Sequence, residues 1–161
     1  MKKFILCLVA LFVLTIPTNE VSAQEKGNFR LGLRTGGYFR AKAYSVGLYG
    51  TYSICDWLNI EPGVNFICKK NSSVDIYCDL QVPLELTTYW HIYPIVGISG
   101  NHIGSVSANA YGWSCGLNLG LGTTYQLGSR WDISAQAKWM GQTAKNHKSP
   151  IIIAIGMGYN F

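Results

Sequence analysis

The last eleven residues, IIIAIGMGYNF, alternate. Ile151, Ile153, Ile155, Met157, Tyr159 and Phe161 are large and apolar, whereas Ala154, Gly156, Gly158 and Asn160 are small or polar, with Ile152 the exception. A period of two is the signature of a strand with one greasy face. The same pattern recurs upstream. Tyr111, Trp113, Cys115, Leu117, Leu119 and Leu121 alternate with Gly, Ser and Asn, and Trp131, Ile133, Ala135, Ala137 and Trp139 alternate with Asp132, Ser134, Gln136 and Lys138. Leu80, Val82, Leu84 and Leu86 face away from Asp79, Gln81, Glu85 and Thr87, and Phe29, Leu31 and Leu33 away from Arg30, Gly32 and Arg34. Weaker versions run from Tyr44 to Ile54 and from Ile92 to His102. These periodicities predict eight strands at about 28–40, 43–54, 57–69, 75–89, 92–103, 110–126, 130–141 and 149–161. Tight connections alternate with longer ones rich in Lys, Asn and Ser. The expected fold is all-β, an eight-stranded antiparallel up-and-down barrel. With the turn between the third and fourth strands placed near residue 73, Phe66 is expected opposite Leu80 and Glu61 opposite Glu85.

Alternation does not say which face is buried. A soluble barrel of lipocalin type would turn its greasy face inward and cover the outside with Lys and Glu. Here the polar face is mostly Gly, Ser, Thr and Asn, which suits a narrow lumen. The greasy face has no Lys, Arg, Asp or Glu at the strand centres, where Arg or Lys would cost about 2–4 kcal/mol in lipid. Each strand is long enough to cross a bilayer when tilted, and an even antiparallel set can close without an edge. Aromatic residues gather at the strand ends. Tyr52, Trp90, Tyr125, Trp131, Tyr159 and Phe161 lie toward one side, and Phe39, Tyr44, Phe66, Tyr111 and Trp139 toward the other, as two interfacial girdles would. The transmembrane arrangement is therefore expected, with outer-membrane lipid as its surroundings.

The front of the chain gives the setting. MKKFILCLVALFVLTIPTNEVSA joins Lys2 and Lys3 to an apolar run and a small-residue exit, the layout of a secretory signal peptide. Residues 1–23 are read as leader and 24–161 as a single barrel domain. Charged residues are only 13% of the chain, about half the usual share. Beyond the leader, 11 Lys and Arg stand against 7 Asp and Glu, spread out, so no nucleic-acid footprint is present.

Candidate chemistry is sparse. The lumen parity collects Arg30, Arg34, Glu61, Glu85, Asp132 and Lys138, which read as a salt-bridge cluster plugging the interior or as an acid pair gating ions. Eight strands leave an interior just wide enough for side chains to fill, which favours the plug. Cys68 and Cys78 face each other in the expected register, either as a cross-strand disulfide or as two lipid-facing thiols. The cysteine spacing offers no zinc site, and neither a metal nor a cofactor is expected. Gly112-Trp113-Ser114-Cys115-Gly116 matches the serine-hydrolase elbow but lies within a strand pattern, without the required strand–turn–helix context. His102 stands near Ser105 and Ser107, and no acid follows in that loop. The chain is expected to be non-catalytic, a lipid-modifying enzyme being the alternative.

The stretches DLQVPLELTTYW and IYPIVGISG, then YGWSCGLNLGLGTTYQLGSRWDISAQAKW and the closing IAIGMGYNF, resemble small outer-membrane barrels of the OmpA and OmpX type. More narrowly, they resemble the PorT-like barrels of Bacteroidota. The resemblance implies termini in the periplasm. It also implies a terminal signal, here Tyr159 and Phe161, read by the barrel-assembly machinery during biogenesis. A structural or interaction role is implied, or an accessory role in protein secretion or surface binding through an unidentified protein partner.

Overall fold

A computed structural model describes residues 27–39, 41–68, 73–102, 113–128, 130–143 and 149–161. Residues 1–23, read above as a leader, lie outside them. The strands are β1 (Phe29–Phe39), β2 (Ala43–Cys55), β3 (Leu58–Cys68), β4 (Ser73–Gln81), β5 (Leu84–Thr87), β6 (Trp90–His102), β7 (Ser114–Gln126), β8 (Trp131–Gln142) and β9 (Ile151–Asn160). Each is antiparallel to its neighbours, β4 pairs β6, and β1 pairs β9. The sheet thus closes into a barrel. β4 and β5 are halves of one stave, broken at Val82 and Pro83, where proline has no N–H to give the ladder. Eight staves therefore stand where eight strands are expected. The single interruption is the difference.

The pairing fixes the tilt. A path from Asn160 through Arg30, Thr51, Glu61, Asp79, Gly97, Asn118 and Met140 crosses every stave and re-enters the last one at Pro150. The return point is ten residues from the start. A stagger of that size over eight staves tilts the strands by about 40°. An 11-residue strand such as β1 then rises about 28 Å along the axis. That matches an apolar belt about 25 Å tall.

The register between β3 and β4 corrects the sequence reading. Phe66 lies opposite Val74, Val64 opposite Ile76 and Ile60 opposite Leu80. The hairpin turns earlier than expected because Ser73 already pairs with Ile67. Glu61 therefore faces Asp79, and Glu85 sits further down the stave opposite His91. Cys78 lies beside Pro62 and Cys68 beside Tyr44, so the two cysteines do not meet across the hairpin, and both are free. The slip is even, so every side chain keeps its face.

Outward positions are greasy. Leu33 and Ile155 are each 60% exposed. Phe29, Tyr52, Trp90, Tyr125, Trp131 and Phe161 are exposed at the end with the tight turns. Phe39, Tyr44, Phe66, Trp113 and Trp139 are exposed at the other end, and Tyr111 falls outside the described residues.

Inward glycines make room for tyrosines. Tyr49 lies across Gly32, Tyr77 across Gly63 and Tyr93 across Gly122, each pair in direct register. A Cβ on any of these glycines would fall within the ring it supports. Aromatic cover of this kind shields a glycine strand and pins its register. Gly32→Val is expected to cost about 1–3 kcal/mol through overpacking. Tyr49→Ala in the same chain should recover part of that loss. Urea midpoints of the refolded single and double variants check this, and additive losses would count against the contact.

Candidate functional site: the sealed lumen

Because inward positions alternate along every strand, the polar parity of all eight staves converges on one narrow interior. Arg30 and Arg34 on β1 point in with Tyr38, and β2 contributes Ser45, Tyr49 and Thr51. Glu61, on β3, and Asp79, on β4, are fully buried. Asp132 and Lys138 enter from β8.

Contacts stack in layers. Near the tight turns, the Arg30 guanidinium donates to Thr51 Oγ1 at 3.0 Å and to Thr124 Oγ1 and Asp132 Oδ1 at 3.4 Å. It also lies 3.7 Å from Glu61 Oε2. One layer up, Arg34 forks onto Glu61 with bonds of 2.6 and 3.2 Å, donates to the Tyr77 hydroxyl at 2.8 Å, and sits 4.0 Å over the Tyr49 ring. A planar guanidinium suits this combined fork and stack. Above it, Lys138 Nζ donates to Asp79 Oδ2 at 2.7 Å over the Tyr77 ring, while Asn118 Nδ2 donates to Asp79 Oδ1 at 2.8 Å. Nearest the long loops, Tyr38 and Asn65 both donate to Asp75 Oδ2, and Tyr38, Ala43, Ile67, Met140 and Ile152 form an apolar collar.

Five of the six residues expected in the cluster are therefore in the ionic lumen, in two groups. Arg30, Arg34, Glu61 and Asp132 form one, and Lys138 joins Asp79 in the other. Glu85 belongs to neither. It is half-buried at the turn end, 3.5 Å from His91 Nε2, because β5 carries it below the network. Asp75 and Asp79 were legible as lumen positions by parity, but the misplaced turn hid their partners. The inward tyrosines had a signal too: Tyr49, Tyr77 and Tyr93 share the polar face.

The interior leaves little space. A cavity of about 10 Å³ near the turn end, among Arg30, Gln81, His91 and Thr124, has room for about one water. Charged groups held this way satisfy one another and block a path.

Other candidate chemistry does not assemble. Ser114 is buried at the start of a strand, where it donates weakly to the Cys115 carbonyl, so the elbow context is absent. His102 packs edge-on to Trp113 with ring centres 6.1 Å apart, and Ser105 and Ser107 lie outside the described residues. Among the described residues, no group of three or more His, Cys, Asp or Glu side chains forms a metal site. Tyr159 and Phe161 stack with Trp131 and Phe29 into an aromatic row beside the β1–β9 seam, with centroids 5.0 to 5.8 Å apart.

Fold and interior define a closed eight-stranded barrel with a greasy exterior and buried ion pairs in its core. No protein-family model matches the sequence, and neither does any curated protein. The chain is similar in structure to the N-terminal β-barrel domain of Pseudomonas aeruginosa OprF, with a TM-score of 0.73 and 16% identity over 86% of this chain and all of that one. It is also similar to the outer membrane protein OprG of the same organism, with a TM-score of 0.62 and 17% identity over 88% of this chain and 99% of that one. A de novo designed transmembrane β-barrel matches with a TM-score of 0.64 and 15% identity over 86% of this chain and 99% of its own. These likenesses show the fold.

Proposed function

We propose that this protein is a non-catalytic outer-membrane barrel with a structural or interaction role, and that it conducts no ions through its lumen. The observation that carries this is the combination of an exposed apolar belt with a buried core crossed by ion pairs. Water cannot solvate that belt cheaply, whereas hydrocarbon can. The described barrels OprF, OprG and the designed protein support the same reading by likeness of fold. In this reading the termini lie in the periplasm, and Tyr159 and Phe161 serve as the signal for the assembly machinery. The resemblance to PorT-like barrels supports a finer role, accessory to protein secretion or surface binding, with a protein partner engaged at the rim or loops.

The test is gel mobility of the chain from an outer-membrane fraction, unheated against boiled in detergent, followed by conductance of the refolded barrel in planar bilayers. A shift on boiling with no steady conductance supports the proposal. A soluble, heat-insensitive protein would put the greasy face inside, and an open-channel current would overturn the plug.

A further inference from the structure

Among the described residues, the buried lumen groups number one more carboxylate than cations. Among the described residues, the buried cations are Arg30, Arg34 and Lys138, and the buried carboxylates are Glu61, Asp75, Asp79 and Asp132. The arginines meet Glu61 and Asp132, and Lys138 meets Asp79. His91 Nε2 and the half-buried Glu85 lie 3.5 Å apart at the far end. Asp75 remains. It is 1% exposed, and no described cation forms an ion pair with it. Its Oδ2 accepts from the Tyr38 hydroxyl at 2.6 Å and from Asn65 Nδ2 at 3.2 Å. Its Oδ1 is buried and accepts no hydrogen bond from a described residue.

The neighbourhood is rich in acceptors and poor in donors. Asn101 is the register partner of Asp75 on β6, yet its amide nitrogen donates to the Met140 sulfur, a weak acceptor, at 3.3 Å. The Asn101 oxygen accepts from Gln142 Nε2 at 3.3 Å, and Gln142 Oε1 is itself buried without a partner. Asp75 Oδ1 and Gln142 Oε1 are thus both unpartnered, and both side chains neighbour Asn101, Asp75 by register and Gln142 by hydrogen bond. A lone buried carboxylate is costly unless something positive reaches it. Oxygen ligands suit hard cations, and one carboxylate among neutral amides balances a single positive charge.

We propose that this group of oxygens takes up one small alkali cation from the loop side. Asp75 Oδ1 is its charged ligand, and the amide oxygens of Asn101 and Gln142 are neutral ones. The ion completes the charge balance of the lumen and tightens the loop end of the barrel.

The test compares the melting of the refolded full barrel in sodium chloride and in N-methylglucamine chloride at equal ionic strength. Melting is read by loss of the fast gel band, for wild type and for Asp75→Asn. Wild type should melt roughly 5 °C higher in sodium at tenfold excess over Kd. Asp75→Asn, which keeps the shape and the Tyr38 contact, should melt alike in both salts. Sodium NMR linewidths with wild type give a second measurement should the variant not refold, with broadening expected on addition of barrel. Equal wild-type midpoints without broadening overturn the proposal. So does a wild-type midpoint that follows pH and ignores sodium, since a proton would then supply the charge.

Discussion

Glu61→Ala should be among the most damaging single changes in this barrel, with an expected loss of about 3–5 kcal/mol. The side chain is fully buried and answers two arginines, with two bonds to Arg34 and a 3.7 Å approach from Arg30. Truncation strands a buried guanidinium. Arg30 retains Asp132, so the greater penalty falls on Arg34, which keeps only the Tyr77 hydroxyl and the Tyr49 ring. Replacing both partners, as in Arg34→Met with Glu61→Leu, should recover most of the loss, because apolar groups of similar volume leave no charge behind. Urea unfolding of the refolded proteins in lipid vesicles, followed by tryptophan fluorescence, measures both. A loss below about 1 kcal/mol for Glu61→Ala would place the pair in the class of solvated surface bridges and reopen the case for a wet lumen.

The second large effect lies on the other face. Ile155 is outward and close to mid-height of β9, opposite Ala135 and Thr35. In a bilayer, Ile155→Arg should cost about 2–4 kcal/mol, whereas Tyr44→Arg, at the rim where exposure reaches 79%, should cost about 0–1 kcal/mol. Unfolding free energies of the two variants in vesicles give the comparison. The gradient is what matters. A protein whose greasy surface met another protein would lose stability by location of the interface, with no dependence on height along the barrel.

Much of the fold was legible because strands with one apolar and one polar face obey a strict parity. The run from Leu117 to Leu121 and the run from Ile151 to Phe161 admit one reading, and their pairings follow from short turns such as Gly128–Arg130. The β3–β4 turn was harder. Lys69, Lys70, Asn71, Ser72 and Ser73 are all polar, and no glycine or proline marks the centre. An error of six residues, Leu80 for Val74 opposite Phe66, costs nothing in parity, so hydrophobic pattern cannot detect it. That one slip moved Glu61 from Asp79 to Glu85 and brought Cys68 and Cys78 together on paper. Break points were hidden for a different reason. Pro62 and Pro94 lie within continuous strands, while Pro83 interrupts one, and composition alone does not separate them. The arrangement of the lumen depends on stagger, which only the whole ring specifies. Thr51, Glu61, Asp79 and Asn118 come from four staves and meet because the strands tilt.

The seam between β1 and β9 is tied at its end by the Phe161 N–H, which donates to the Phe29 carbonyl at 3.0 Å. First and last strands thus lie side by side, the arrangement in which chains tolerate circular permutation. A permuted version with Phe161 linked to residue 28 and new ends opened at the Asp56–Trp57 turn would keep every pair in the ring. It would finish on Asp56 in place of an aromatic residue. If Tyr159 and Phe161 serve as the proposed assembly signal, such a chain separates two demands: what the closed cylinder requires of its connectivity, and what delivery requires of those two aromatic side chains.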